Sequence, residues 1–146
     1  MAITFSHKAF DDLALRELYD LLQLRDEVFV VGQKITAESE VDGLDPQCVH
    51  IIGREANGRI VATTRLFLDT LPVKVGRVAV HNSLQRRGIG TQLMRYVHTV
   101  IGNRAATMSA QAHLQDWYAG LGWQRKGDGY LEANIPHVKM VRPAPK

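Results

Sequence analysis

Apolar residues recur at helical and at alternating spacing along this chain, and the changes between the two patterns divide it into elements. Between Asp11 and Val30, leucines stand at positions 15, 18 and 22 and at 13 and 21. This spacing predicts an amphipathic helix, with Asp11 or Asp12 as its cap and a second short helix after it. A strand is expected before it, in AITFSH.

Two β-rich runs flank the dipeptide Asn57-Gly58 in HIIGREANGRIVATTRLFL. Asn-Gly favours the two left-handed positions of a type I′ turn, so the pattern predicts an antiparallel hairpin closed by that turn. A further strand is expected in VKVGRVAV, residues 73–80.

The second half of the chain continues the alternation of helices and strands. One helical face carries Ile89, Leu93, Val97, Val100 and Ile101, and that helix is expected to end at the glycine at position 102. The other runs predict a strand in ATMSAQ, a short helix in HLQDWYAGL and a final strand in IPHVKMV. With no repeat and no linker, the pattern predicts one domain over residues 1–142 and a C-terminal tail at 143–146.

Composition narrows the class of protein. Of the 146 residues 45% are hydrophobic, which is enough for one core. The net charge of +3 reflects 18 basic and 15 acidic residues, which fits localised anion binding better than coating of nucleic acid. The single cysteine, Cys48, excludes an intramolecular disulfide and is interpreted as a packing residue. Without a leader pattern or a long apolar run, a cytoplasmic location is expected.

The segment VGRVAVHNSLQRRGIGTQLMRYV joins a predicted strand to a predicted helix through two arginines and two glycines. Gly88 and Gly90 allow close approach of the backbone, and free amides at a helix start suit an oxyanion such as a pyrophosphate. The spacing matches neither the dinucleotide fingerprint nor the P-loop. From the residues alone, a structural turn with solvated arginines is an equal alternative.

The run Gln85-Arg86-Arg87-Gly88-Ile89-Gly90 resembles motif A of the GCN5-related N-acetyltransferases (GNAT), Gln/Arg-x-x-Gly-x-Gly/Ala after a strand. FVVGQ, AQAHLQDWYAGLGW and IPHVKM add to the similarity, which is to the ElaA-like branch and covers about residues 13–142. The resemblance implies an α+β, three-layer acyl-CoA N-acyltransferase fold. Its mixed sheet of six to seven strands would splay open after the fourth strand.

The same resemblance implies that acetyl-CoA, as co-substrate, lies in the gap. Its pyrophosphate would rest on the turn, and its pantetheine arm would pair with the edge of the preceding strand. The cofactor-binding residues carried over are Val78, Ala79, Val80, Gln85, Arg86, Arg87, Gly88, Ile89, Gly90 and Thr91. No metal is expected, because the six histidines are scattered and no cysteine pair exists.

Tyr118 stands four residues before Gly122, where the family often has the tyrosine that protonates the departing thiolate. A phenol suits a thiolate of similar basicity, and a core role for Tyr118 is the alternative. The superfamily has no fixed general base. The candidates are Glu40, Asp42, His50, His113 and His137, of which Glu40 and His137 are placed with Tyr118 in the predicted catalytic set.

An acidic run, ESEVDGLD, carries Glu38, Glu40, Asp42 and Asp45 before the hairpin. Negative charge beside the cleft would concentrate a cationic amine, so Glu40, Asp42 and His50 are predicted to bind the acceptor. The alternative is a solvated loop with an Asp-Gly turn.

Three positions depart from the branch pattern: Gly32 stands where a glutamate is usual, Asp116 near a usual asparagine, and Trp123 in place of phenylalanine. The prediction is nevertheless an N-acetyltransferase that moves the acetyl group of acetyl-CoA to an amine of a small molecule or peptide by direct attack. A non-catalytic CoA-binding sensor or scaffold is the alternative. A nucleic-acid binder ranks last because the basic residues are dispersed, no membrane partner is expected, and a homodimer stays open.

Overall fold

The computed structural model describes residues 2–36 and 38–145, which form one mixed sheet covered by helices. The strands of this part are β1 (Thr4–Ala9), β2 (Val49–Arg54), β3 (Ile60–Phe67), β4 (Val73–Val80), β5 (Ala106–Gln111), β6 (Gln124–Arg125), β7 (Tyr130–Glu132) and β8 (Ile135–Arg142). The α-helices are α1 (Leu15–Arg25), α2 (Ile89–Ile101) and α3 (Gln115–Gly120). A π-helical segment, Asp26–Gly32, continues α1 directly.

The sheet has the strand order β1-β2-β3-β4-β5-β8-β6, with β7 added beside β8. Neighbouring strands are antiparallel except β4 and β5, which run parallel. These two pair only from Val73–Ala106 to Val75–Met108 and then part. The splayed mixed sheet is thereby confirmed, and the short strands β6 and β7 raise the described strands from the expected six or seven to eight.

Two clusters of buried side chains bury the two faces of the sheet. On one face, α2 contributes Leu93, Met94 and Val97, which are fully buried. On the other, Leu21 and Leu24 of α1 are buried in a smaller cluster that includes residues of β2, β3 and β4. Because successive residues of a strand point to opposite faces, both layers are needed to cover the sheet.

The start of α1 differs from the prediction. Asp11 and Asp12 belong to a separate 3₁₀ turn, Phe10–Asp12, so neither caps the helix. The helix begins at Leu15, and the Glu17 carboxylate accepts a hydrogen bond from the amide of Ala14 at 2.9 Å. A glutamate at the third helical position therefore supplies half of a capping box, which the leucine spacing alone does not show.

The β2–β3 hairpin is confirmed, but the type I′ turn at Asn57-Gly58 is wrong. Only Gly58 has a positive φ, +90°. Its amide donates to the carbonyl of Glu55 at 2.9 Å, and the amide of Glu55 donates to Arg59 at 3.0 Å. The Asn57 side chain accepts from the amide of Arg59 at 2.9 Å. The result is a longer loop in which a turn is followed by one left-handed glycine.

Candidate functional site

A cleft opens where β4 and β5 part, and its lining comes from both strands, α3, β8 and the segment after the π-helix. At Arg77, φ is +53° and the register between β3 and β4 shifts, so β4 carries a bulge at the level of the opening. A bulge bends its strand locally and re-aims its side chains. The Gln33 side chain reaches across and accepts from Gln111 of β5 at 2.8 Å.

The end of β4 presents an open main-chain edge to this cleft. The amide of His81 donates to the carbonyl of Val61 at 2.8 Å, so His81 faces β3. Because main-chain groups alternate sides along a strand, those of Val78 and Val80 face the gap. The groups of Ala79 face β3, where it pairs with Thr63, and its methyl group is buried. The structure therefore brings Val78 and Val80, but not Ala79, to the open edge.

The predicted phosphate turn follows β4 and ends at the start of α2. Gly88 has a φ of +79° and precedes the first helical residue. No amide from Gly88 to Thr91 donates to another main-chain group of the described residues, and the ladder begins with Gln92 donating to Gly88 at 3.1 Å. Free amides and the positive end of the helix dipole together suit an anion. Arg86 and Arg87 are exposed beside them.

Side chains around the turn hold its shape. The side-chain Nε2 of Gln85 donates to the carbonyl of Val80 at 3.3 Å and to Oδ1 of Asn82 at 3.1 Å, which ties the turn back to β4. The Ile89 side chain lies in the core. These residues thus act on a ligand through the backbone they position, not through their side chains.

Gly90 and Thr91 contact α3. A Cβ at Gly90 would lie 3.3 Å from two ring carbons of Trp117, and the Trp117 indole N–H donates to Thr91 Oγ1 at 3.3 Å. Gly90 therefore permits close packing of α2 against α3. The sequence analysis explained Gly90 by close approach of a ligand to the backbone. Packing against Trp117 is a second reason for a glycine at this position.

Tyr118 lies on α3, lines the cleft and is only 3% exposed. Its ring packs between Trp117, at a centroid distance of 4.7 Å, and Trp123, at 6.5 Å. Burial raises the pKa of the Tyr118 phenol well above its ordinary value. The phenol therefore stays protonated at neutral pH, as a proton donor must.

His137 of β8 also lines the cleft. Its Nδ1 lies 2.7 Å from the carbonyl oxygen of Ile135, and because a carbonyl only accepts, Nδ1 carries the hydrogen. Nε2 is then the nitrogen that can take up a proton, and it lies 3.4 Å from Oε2 of Glu132. Glu132, at the end of β7, is a cleft residue that the sequence analysis missed.

The acidic run does not present the free negative charge predicted for it. Its carboxylates Glu40, Asp42 and Asp45 bind Arg25, Arg65 and Arg77. Buried Arg25 donates to Glu40 at 2.6 Å and to Asp45 at 2.7 Å. Arg65 donates to both oxygens of Asp42, at 2.9 and 2.6 Å.

Arg65 also fixes the ionisation of Asp42. Hydrogen bonding from Arg65 holds the pKa of the Asp42 carboxyl well below its ordinary value. Glu40 lines the cleft, but its Oε1 faces both Arg25 and the Nε of Arg77, the latter at 3.1 Å. Glu40 and Asp42 thus each have a guanidinium partner and do not form a free negative surface, and their binding of an acceptor stays a prediction.

The remaining candidate bases lie away from the cleft lining. His50 is buried, with Nε2 at 3.0 Å from the carbonyl of Asp45, and burial lowers its pKa. Asp42 and His113 are absent from the lining, and His113 is exposed. Of the predicted catalytic set, the structure brings Tyr118, Glu40 and His137 together around one cleft.

Trp123 departs from the family pattern and has its own partner. Its indole N–H donates to Nε2 of His98 on α2 at 2.9 Å, and the ring is 1% exposed. Burial, with a smaller contribution from Arg142, lowers the pKa of His98 to about 4. A neutral His98 can accept this hydrogen bond, so the larger aromatic ring buries no unpaired donor.

Residues 2–36 and 38–145 contain neither a candidate metal-binding cluster nor a candidate membrane-spanning helix. No group of three or more histidine, cysteine, aspartate or glutamate side chains is arranged to hold a metal ion. None of the helices in these ranges combines the length and the apolar character needed to cross a bilayer.

Comparisons with known proteins agree with this geometry. Residues 25–143 match the model of the acetyltransferase (GNAT) domain family. A UPF0039 protein of Schizosaccharomyces pombe is 38% identical over 144 residues, which cover 94% of this chain and 95% of that protein. The crystal structure of an acyl-CoA N-acyltransferase from Pseudomonas aeruginosa has a TM-score of 0.86 and 37% identity, and that of Escherichia coli ElaA has 0.87 and 33%. Both cover 97% of this chain and 99% of their own.

Proposed function

The chain belongs to the ElaA-like branch of the GNAT acetyltransferase family, and from this premise we propose that it transfers the acetyl group of acetyl-CoA to an amine. The proposal concerns the donor, the acceptor and the route of transfer. Direct attack of the amine on the thioester needs both substrates in one cleft, an amine freed of its proton, and a proton for the departing sulfur.

The observation that carries the proposal is the parting of β4 from β5 after Val75 and Met108. It leaves the main-chain groups of Val78 and Val80 without a strand partner, on an edge that leads to the free amides of Gly88 to Thr91. An amide-bearing pantetheine arm can pair with such an edge while its diphosphate binds the helix start. Both halves of coenzyme A therefore have complementary main-chain groups.

The residues of the cleft supply the other requirements. The Val80 amide, on the open edge, would donate to the thioester carbonyl oxygen as negative charge develops there. The nitrogen of the neutral amine forms the C–N bond to the carbonyl carbon, the C–S bond breaks, and the protonated Tyr118 phenol gives its proton to the sulfur. The nitrogen then gives up one N–H proton, which restores the phenol. A positioned proton donor of this kind contributes roughly 10²–10⁴-fold to rate.

Calorimetry and a turnover assay test the proposal together. Acetyl-CoA should bind, and acetyl-pantetheine, which lacks the diphosphate, should bind much more weakly because it cannot use the amides of α2. Release of free thiol is then followed with a panel of primary amines. Binding without turnover of any amine would favour the sensor or scaffold, and equal affinity for the two donors would contradict the role of the turn.

A further inference from the structure

We infer that Glu132 and His137 form the site that receives the acceptor's ammonium group, with Nε2 of His137 taking its proton and Glu132 holding the resulting charge. This inference rests on the proposed function. It adds Glu132 to the site and chooses His137 over Glu40 as the group that frees the amine.

The Glu132 carboxylate is held by a chain of hydrogen bonds between β7 and β5. Ser109 of β5 donates to Oε1 of Glu132 at 3.2 Å, and the Tyr130 hydroxyl lies 2.6 Å from Ser109 Oγ. Because the one hydroxyl hydrogen of Ser109 points to the carboxylate, Tyr130 is the donor to Ser109. The other carboxylate oxygen, Oε2, is thereby directed at His137, 3.4 Å from Nε2.

Tyr130 also fixes the plane of the imidazole. Its ring stacks on His137 with an angle of 22° and a centroid distance of 6.3 Å. With Nδ1 bound to the carbonyl of Ile135, the imidazole is held at one nitrogen and along one face. Only Nε2 remains for proton uptake, and it points at the side of the cleft where Glu132 lies.

The Glu132 side chain is exposed at the mouth of the site, and the His137 side chain is buried deeper in it. The Glu132 side chain is 46% exposed, whereas that of His137 is 7% exposed. An incoming ammonium group meets the carboxylate first and the imidazole second. Glu40 is less suited to bind the ammonium group, because its carboxylate already pairs with Arg25 and Arg77. The described partners of Glu132 are a hydroxyl and an imidazole.

His137, Glu132 and Tyr118 together account for every proton transferred in the reaction. An N–H bond of the ammonium breaks, its proton goes to Nε2 of His137, and the imidazolium donates to Oε2 of Glu132. The freed electron pair forms the C–N bond to the thioester carbon. A second N–H proton leaves the nitrogen as the amide forms and goes to the Tyr118 phenolate, which restores the phenol that protonated the sulfur. His137 returns the first proton to solvent.

Two amines of similar size separate this role from a structural one. Benzylamine is an ammonium cation at neutral pH, whereas aniline is already neutral and needs no proton removed before attack. Glu132→Gln should lower kcat/KM for benzylamine by roughly 100-fold, the lower range for a general acid or base, and for aniline by less than about threefold. Glu132→Asp should recover part of the benzylamine activity. Glu55→Gln, on the β2–β3 loop, is the control and should change neither value.

A loss of equal size for both amines would show that Glu132 only maintains the fold and would overturn the inference, as would unchanged activity. If the wild-type protein acetylates neither amine, the proposed function is in doubt and binding decides the inference. Benzylammonium, added to the CoA-bound protein, should shift the NMR signals of the His137 ring, assigned with His137→Gln. That shift should vanish in Glu132→Gln, and its absence in the wild-type protein overturns the inference.

Discussion

Asn82 occupies the space that a side chain at Gly32 would need. A Cβ at Gly32 would lie 2.9 Å from Nδ2 of Asn82 and 3.0 Å from the carbonyl oxygen of Glu27. The same Nδ2 donates to that carbonyl at 3.2 Å, which fastens the π-helical segment to the end of β4. Gly32, which departs from the family pattern, thus packs directly against Asn82, and a glutamate at position 32 would require Asn82 or the local backbone to shift.

A double-mutant cycle tests this match. Gly32→Ala should destabilise the protein, and the loss should be smaller by about 1 kcal/mol in an Asn82→Ala background, where part of the clash is removed. Chemical denaturation of the four proteins measures the coupling. Additive effects would show that the Glu27 carbonyl alone restricts position 32. Gly120→Ala, where a Cβ meets no atom within 4 Å, is the control.

Tyr118→Phe should keep the affinity for acetyl-CoA and lower kcat by roughly 10²–10⁴-fold, because the buried phenol is replaced by a ring that donates no proton. Single-turnover kinetics and calorimetry check the two halves. Tyr96→Phe, which removes a hydroxyl that binds His7 at 2.7 Å, is the matched control. Full activity of Tyr118→Phe would assign the proton to another donor.

Arg86→Ala and Arg87→Ala should each weaken acetyl-CoA binding, and more so at low than at high ionic strength. Both side chains are exposed, so salt screens their attraction for a diphosphate. Calorimetric titrations at two salt concentrations measure the difference. Arg95→Ala removes an exposed arginine from α2 beyond its first turn and should leave the affinity unchanged. Identical salt dependence in all the proteins would place the diphosphate elsewhere.

The double change Glu40→Gln and Asp42→Asn should lower the free energy of unfolding by about 3 kcal/mol, because buried Arg25 and Arg65 then share one remaining carboxylate, that of Asp45. Urea denaturation measures the loss. Asp20→Asn, which breaks the exposed pair with Arg16, should cost less than about 1 kcal/mol. A fully stable double variant would show that the acids are dispensable to the fold.

Because the fold lowers the pKa of His98, we expect the free energy of unfolding to fall in mild acid. Its pKa is lowered to about 4 in the fold, so between pH 6.5 and 4 the unfolded chain binds a proton that the folded chain does not. The free energy of unfolding therefore falls as pH falls through this window. The full shift corresponds to about 3 kcal/mol, reduced to about 1–2 kcal/mol because the ring is only partly buried.

Denaturation at pH 7 and pH 5 tests this slope. His98→Gln retains an acceptor for the Trp123 indole and does not titrate, so its stability should change less between the two values. Buried His50, whose pKa is also lowered, contributes in the same direction, so part of the slope should remain in the variant. An unaltered slope in His98→Gln would assign the whole effect to other groups.

Sequence patterns predicted those elements and site residues whose structure depends on residues close together in the chain. The turn at Gly88, the helix that follows it and Tyr118 on α3 all lie in contiguous stretches with recognisable residue types. The β7–β8 hairpin was not predicted from the sequence, because its two left-handed positions are Ala133 and Asn134, with φ of +49° and +62°. The type I′ geometry predicted for Asn-Gly therefore occurs at Ala-Asn, where the pairing of β7 with β8 determines the turn.

The charge network could not be predicted because its members lie far apart in the chain. Arg25, Arg65 and Arg77 come from α1, β3 and β4, and they meet the acidic run only after the sheet has formed. From the sequence, four acids in eight residues are equally consistent with a solvated loop and with a substrate site. Tertiary structure instead pairs three of them with arginines.

The pairing of the acidic run with three arginines constrains how this protein can diverge. The segment bearing Glu40 borders the cleft, where changes in acceptor preference would arise, yet its carboxylates are anchored to α1, β3 and β4. A single substitution there removes one charged partner of a buried guanidinium as well as altering the cleft border. New specificities are thus more accessible from β7 and its turn into β8, because this short exposed strand can vary without disturbing a buried charge. Directed evolution of acceptor choice should therefore accumulate its first changes around Glu132 rather than in the acidic run.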